Sequence, residues 1–102
     1  MHQSVHDLHA VLDDAFVLDV REPDEYEQGH VPGAKLMPLA TVPVRHGELP
    51  RDQTIWVVCA SGGRSFSAAA WLAQQGYDVR NVSGGTFEWV AAGLPVTHGP
   101  ES

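Results

Sequence analysis

The stretch Ile55-Trp56-Val57-Val58-Cys59-Ala60-Ser61-Gly62-Gly63-Arg64-Ser65 passes from an apolar strand pattern, through a loop of small residues, into the helix-forming segment Phe66 to Gln75. Thr54 to Val58 is the most strand-like run in the chain. Ser65 to Gln75 is Ala-rich, with Phe66, Ala69, Trp71 and Leu72 spaced to pack as a helix closed by Gly76. Cys59 is the only cysteine, so no disulfide can form within the chain. Its position suits chemistry instead. Successive N–H groups of a small-residue loop can converge on one point, and the next helix adds the positive end of its dipole. Together with Arg64, those donors favour a thiolate and hold an anion beside it. A free cysteine at a strand end is more often apolar filler, but the two glycines and the arginine that follow weigh against filler here.

Outward from this stretch, short apolar runs alternate with helical patterns, the signature of a parallel α/β sheet. Val5, Leu8, Val11 and Leu12 follow helical spacing behind Ser4 as N-cap. Phe16 to Val20 reads as a buried strand, Glu22 to Gln28 as a brief acidic helix with Pro23 in its first turn and Gly29 closing it, and Ala34 to Met37 as a second strand. Between residues 38 and 53, one or two helical turns are expected, limited by Pro43. Val79 to Val82 is a further strand. Ser83-Gly84-Gly85-Thr86 then turns into a short helix carrying Phe87, Trp89 and Val90, stopped by Gly93 and Pro95. Residues 98–102 are expected to fray. This map puts Cys59 at the carboxyl end of a central strand, where open parallel sheets bind ligands.

At 102 residues, the chain suits one small domain, spanning 1–102 with its core at about 4–96 and a tail at 97–102. Six Lys and Arg stand against thirteen Asp and Glu, a net charge of −7 with no basic cluster. Nucleic acid and anionic membranes are therefore poor partners. No apolar run reaches transmembrane length, and Met1-His2-Gln3-Ser4 lacks the features of a secretory signal, so a cytoplasmic location is expected.

Three motifs, in order, resemble the rhodanese family. They are Leu18-Asp19-Val20-Arg21 with Glu25-Tyr26 and Gly29-His30-Val31-Pro32-Gly33-Ala34; the loop from Cys59 to Ser65; and Gly84-Gly85 with Trp89 and Ala92-Gly93-Leu94-Pro95-Val96. The resemblance implies a three-layer α/β/α fold around a five-stranded parallel sheet. It also implies sulfane-sulfur transfer without cofactor or metal. In that chemistry, Cys59 takes the outer sulfur from thiosulfate or a glutathione persulfide. It then passes the sulfur to cyanide, a thiol or a sulfur-carrier protein. Backbone amides from Ala60, Ser61, Gly62, Gly63, Arg64 and Ser65 would cradle the sulfur, and Arg64 would close the loop as its charged side chain. On that footing, Arg64→Ala is expected to weaken transfer roughly ten- to a thousandfold. The residues agree with the resemblance. A free thiol with pKa about 8.5 is mostly protonated at neutral pH, so it needs such donors. No second cysteine can resolve a persulfide, so the sulfur must leave to an external acceptor.

Two rivals remain in view. A cysteine phosphatase or arsenate-type reductase also cradles an oxyanion before a helix, but it resembles a longer loop, with five residues between cysteine and arginine. Here four separate Cys59 from Arg64, which suits one sulfur better than a tetrahedral phosphate. A non-catalytic or sulfur-relay interaction module on the same scaffold is the other, and the retention of Cys59 argues for activity. Asp19 and Arg21 read as structural residues near the site, Asp19 accepting backbone N–H bonds and Arg21 pairing with an acidic neighbour such as Glu25. His2, His6 and His9 would share one face if all lay on a helix, but without a further ligand a zinc site is the weaker reading. His30 is expected to satisfy backbone groups, and Trp56, Trp71 and Trp89 to pack.

Overall fold

The short apolar runs become the inner strands of the sheet. In the computed structural model, which describes residues 1–102, the strands are β1 (His2–Gln3), β2 (Phe16–Asp19), β3 (Lys35–Leu36), β4 (Ile55–Val58) and β5 (Val79–Val82). All pairings are parallel, and the order across the sheet is β1-β5-β4-β2-β3. The helices are α1 (Val5–Ala10), α2 (Pro23–Gln28), α3 (Val42–Arg45), α4 (Gly63–Gln74) and α5 (Gly85–Ala91).

Side chains alternate along β4, and this alternation divides the core. Ile55, Val57 and Cys59 face one layer with Ala68, Ala69 and Leu72 of α4 and Val42 of α3. Val58 faces the other, with Val5 and Leu8 of α1, Tyr26 of α2 and Trp89 of α5. Helix α4 buries Ser65, Ala68, Ala69 and Leu72, the i, i+3, i+4, i+7 stripe of an amphipathic helix. Small Ala residues let it lie close to the sheet. Leu72 is fully buried, and truncating such a side chain to Ala costs roughly 2–5 kcal/mol.

Four strands were expected from apolar runs, and the fifth is the edge strand β1. Its two residues carry no apolar pattern. They are held by pairing, Asn81 N–H to Met1 C=O at 2.7 Å and Ser83 N–H to Gln3 C=O at 2.8 Å. The Ser4 cap is present as a reciprocal capping box with Asp7. As expected, the segment around Pro43 forms only one α-helical turn, α3, and Pro43 sits in that first turn, where its missing N–H is no loss. The tail is not frayed. Thr97 bridges His30, Gly99 N–H donates to Glu27 C=O, and Gly33 N–H donates to Ser102 C=O.

From β2 the chain moves outward to β3, and from β4 it moves the other way to β5. The direction reverses between β2 and β4, so a crevice opens at their carboxyl ends. Cys59 follows one of these strands, and Arg21 follows the other.

Candidate active site

Cys59 sits one residue beyond β4, on the face covered by α4, and is only 1 % exposed. The chain then reverses through Gly62, whose φ of +111° is open to glycine but strained for other residues. This conformation turns the Gly62 N–H onto the thiol, at 3.1 Å from Sγ. The thiol also donates to Ser65 Oγ at 3.3 Å. Burial pushes the thiol pKa up. The Ser65 hydroxyl and the backbone N–H groups of Ser65, Gly62 and Ser61 outweigh it, and the net shift is downward, toward the thiolate. Of the loop amides from Ala60 to Ser65, that of Gly62 is hydrogen-bonded to Sγ, and those of Ser61 and Ser65 also favour the thiolate.

A second turn fixes the first. Thr86 N–H donates to Cys59 C=O at 2.9 Å and Phe87 N–H to Ala60 C=O at 3.0 Å, so the start of α5 pins the sulfur loop from behind. Gly85 lies so close that a Cβ there would stand 2.2 Å from Cys59 O and 2.6 Å from Ala60 O. No side chain fits.

Two arginine–carboxylate pairs flank the crevice, and neither is the pair read from sequence. Arg21 does not reach Glu25. It folds back on Asp19, Nε to Oδ1 at 3.0 Å and Nη2 to Oδ2 at 2.8 Å, with a further bond to Gly29 C=O at 2.9 Å. Asp19 also accepts the Arg21 backbone N–H at 3.0 Å, as expected of a carboxylate at a strand end. Both side chains are buried, at 6 % and 0 % exposure. Glu25 belongs instead to Arg64. Nη1 and Nη2 meet its two oxygens at 2.7 and 2.9 Å, and the Arg64 hydrogen bond holds the Glu25 carboxyl down to a pKa of about 2. Arg64 was expected as a free donor to a bound anion. One edge of its guanidinium is instead taken by Glu25, which also neutralises its charge.

Beside the loop, a cavity of about 500 Å³ is lined by Arg21, Glu25, Ala60, Thr86, Phe87 and Val90, among others. Phe87 and Val90 are 68 % and 58 % exposed, giving its α5 wall an apolar rim.

His2 lies on β1 and stacks on Phe66 at 5.0 Å, while His9 meets Trp89 edge-on at 5.8 Å, so His2 does not share α1 with His6 and His9. His30 contacts the carbonyls of Tyr26 and Glu101, at 2.7 and 3.0 Å. One residue of the site was missed altogether. Asn81 is 2 % exposed, and its Oδ1 accepts the Ser65 hydroxyl at 2.5 Å. The available signal was an amide side chain within a short strand bracketed by Val79 and Val82, where burial would require a partner for it.

The family model described as "Rhodanese-like domain" matches residues 4–92. A protein described as "Sulfurtransferase" from Allochromatium vinosum is 41 % identical over 88 residues, which cover 85 % of this chain and 82 % of that one. The thiosulfate sulfurtransferase GlpE of Pseudoalteromonas translucida is 37 % identical over 81 residues, covering 78 % and 77 %. Among solved structures, a rhodanese-related protein from Thermoplasma volcanium superposes with a TM-score of 0.91 at 33 % identity, covering 94 % and 96 % of the two chains.

Proposed function

Because the chain belongs to the rhodanese-like domain family, we propose that it is a sulfurtransferase that carries a sulfane sulfur on Cys59. The observation that carries this reading is the Gly62 N–H aimed at Sγ from 3.1 Å, at the carboxyl end of β4. The Cys59 thiolate attacks the outer sulfur of a donor R–S–S⁻. A bond forms between Sγ and that sulfur, the donor S–S bond breaks, and R–S⁻ leaves with the electron pair. The outer sulfur of the resulting persulfide holds the negative charge, and loop amides are the donors suited to it. An acceptor thiolate or cyanide then attacks the outer sulfur and restores the Cys59 thiolate. Charge and electrons balance at both steps, with no other reactant.

The donor class follows from the charges at the mouth. Arg64 is engaged by Glu25, and the chain carries a net charge of −7. A small dianion such as thiosulfate gains little there. The cavity with its Phe87 and Val90 rim favours an organic persulfide of glutathione size, whose body can contact α5 while its outer sulfur enters the loop.

The test uses cyanide as acceptor, with thiosulfate and glutathione persulfide as alternative donors and Cys59→Ser as control. Turnover with the persulfide, a cyanide-labile gain of about 32 Da on Cys59, and none of either in Cys59→Ser are expected. Turnover independent of Cys59, or no mass gain with either donor, would sink the reading and leave a binding module. Faster turnover with thiosulfate would overturn the donor preference alone.

A further inference from the structure

The Ser65 hydroxyl has one proton and three possible takers. Asn81 Oδ1 is 2.5 Å away, Gly62 C=O is 3.1 Å away, and Cys59 Sγ is 3.3 Å away. All of this is buried, with Ser65 at 0 % and Asn81 at 2 % exposure. The amide orientation is fixed from its other end. Asn81 Nδ2 donates to the Gly62 carbonyl at 3.4 Å and contacts His2 Nδ1 at 3.1 Å, so a reversed amide would set Oδ1 against that carbonyl.

We propose that Asn81 is a positioning residue that keeps the Ser65 proton off Cys59, and so disfavours the bare thiolate relative to the sulfur-loaded form. The role in loading rests on the sulfur-transfer reading above. In the thiol form the chain is satisfied throughout: Cys59 S–H donates to Ser65, Ser65 to Asn81, and Asn81 to the Gly62 carbonyl. When Cys59 ionises, Sγ keeps the Gly62 N–H but faces the lone pairs of Ser65 Oγ unless that hydroxyl rotates toward it. Rotation strips Asn81 Oδ1 of its donor, and a buried acceptor left unmet is costly. The Ser65 hydroxyl lowers the thiol pKa, but turning it fully onto the sulfur costs the bond to Asn81. Loading removes the conflict. A second sulfur bonded about 2.05 Å beyond Sγ takes the negative charge outward. The inner sulfur is then neutral, and the hydroxyl proton can stay with Asn81.

Arg64 with Glu25, and Arg21 with Asp19, are the charged groups flanking the crevice, and His2 contacts the Asn81 amide. A double-mutant cycle at Ser65 and Asn81 leaves all five in place. Its readout is the pH profile of Cys59 alkylation by iodoacetamide, followed by intact mass on the folded protein. Asn81→Leu should lower the alkylation midpoint by about one pH unit, making reaction below it about tenfold faster. Ser65→Ala should raise the midpoint, and adding Asn81→Leu to Ser65→Ala should move nothing further. An unmoved or raised midpoint in Asn81→Leu, or the same drop in the Ser65→Ala background, would overturn the proposal. Asn81→Ala, judged by the same criteria, replaces the leucine variant if circular dichroism shows that variant misfolded. Alkylation needs no sulfur donor, which keeps the two readings separable. The predicted shifts without any persulfide on Cys59 would retire sulfur transfer and spare the positioning role, while persulfide formation with an unmoved profile would do the reverse.

Discussion

The turn after β4 and the turn after β5 share a plan. Each leaves a parallel strand, passes through a left-handed glycine (Gly62 at φ +111°, Gly84 at φ +83°) and starts a helix. They spend that geometry differently. The first directs N–H groups inward, onto the sulfur of Cys59. The second directs its N–H groups, from Thr86 and Phe87, onto the carbonyls of the first. One turn holds the Cys59 sulfur and the other holds the holder. A thiol that must sit within tenths of an ångström of its donors needs both, because a loop of small residues has few side-chain contacts to keep its shape.

The sharpest way to break this division is Gly85→Ala. The added Cβ would meet Cys59 O at 2.2 Å, a backbone atom that can retreat only by moving the whole sulfur loop. A cost on the order of 3 kcal/mol is expected, or roughly 10–20 °C in Tm for a domain of this size. Thermal denaturation followed by circular dichroism checks it. A loss below ~1 kcal/mol would mean that the anchoring turn is pliable and the comparison false.

Gly62→Ala probes the other turn. Here a Cβ meets nothing closer than Gly84 N at 3.5 Å, so space is adequate and the penalty is conformational. Holding alanine at φ +111° costs about 1–3 kcal/mol. Relaxation would swing the N–H off the sulfur. Stability should fall less than in Gly85→Ala, while the alkylation midpoint of Cys59 rises, since a donor to the thiolate is lost. Equal stability losses with an unmoved midpoint would show that Gly62 only shapes the chain.

How far the sequence reveals this arrangement depends on where the information lies. Strand β4 is legible because it is an apolar tetrad, β2 because three apolar residues precede Asp19, β5 because two valines bracket its polar pair, and α4 because its buried stripe repeats at helical spacing. The sulfur loop is legible because a cysteine, two glycines and an arginine stand together. Strand β1 is not, since His2 and Gln3 are ordered by the backbone of β5 and not by their own side chains. Partner choice is equally hidden. Arg21, Glu25 and Asp19 are close in the chain, yet Glu25 reaches 39 residues onward to Arg64 because α2 and α4 meet over the crevice. Asn81 escaped notice for the same reason: its partner Ser65 lies sixteen residues back, and only the packing of α4 on the sheet joins them.

The smallest expected effect concerns the charged strap that the sulfur turn has and the anchoring turn lacks. Arg64 and Glu25 are each about a third exposed, at 38 % and 33 %, so solvent screens the pair and its stabilisation is under about 1 kcal/mol. Because Glu25 already neutralises the guanidinium and takes one of its edges, Arg64→Ala should slow sulfur transfer at neutral pH by less than about tenfold, not by the larger factor a free anion-binding arginine implies. The pH dependence has a definite sign. The Glu25 carboxyl falls from 4.5 to about 2 on folding, mainly through its hydrogen bond from Arg64. Its contribution is therefore complete above pH 4.5 and is lost as pH falls through 2. Urea denaturation of the native protein beside Glu25→Gln should show a small advantage for the native chain near neutrality that shrinks across this window. An advantage independent of pH would mean that the strap works through packing and not through charge. The contrast between the two turns would then rest on backbone geometry alone.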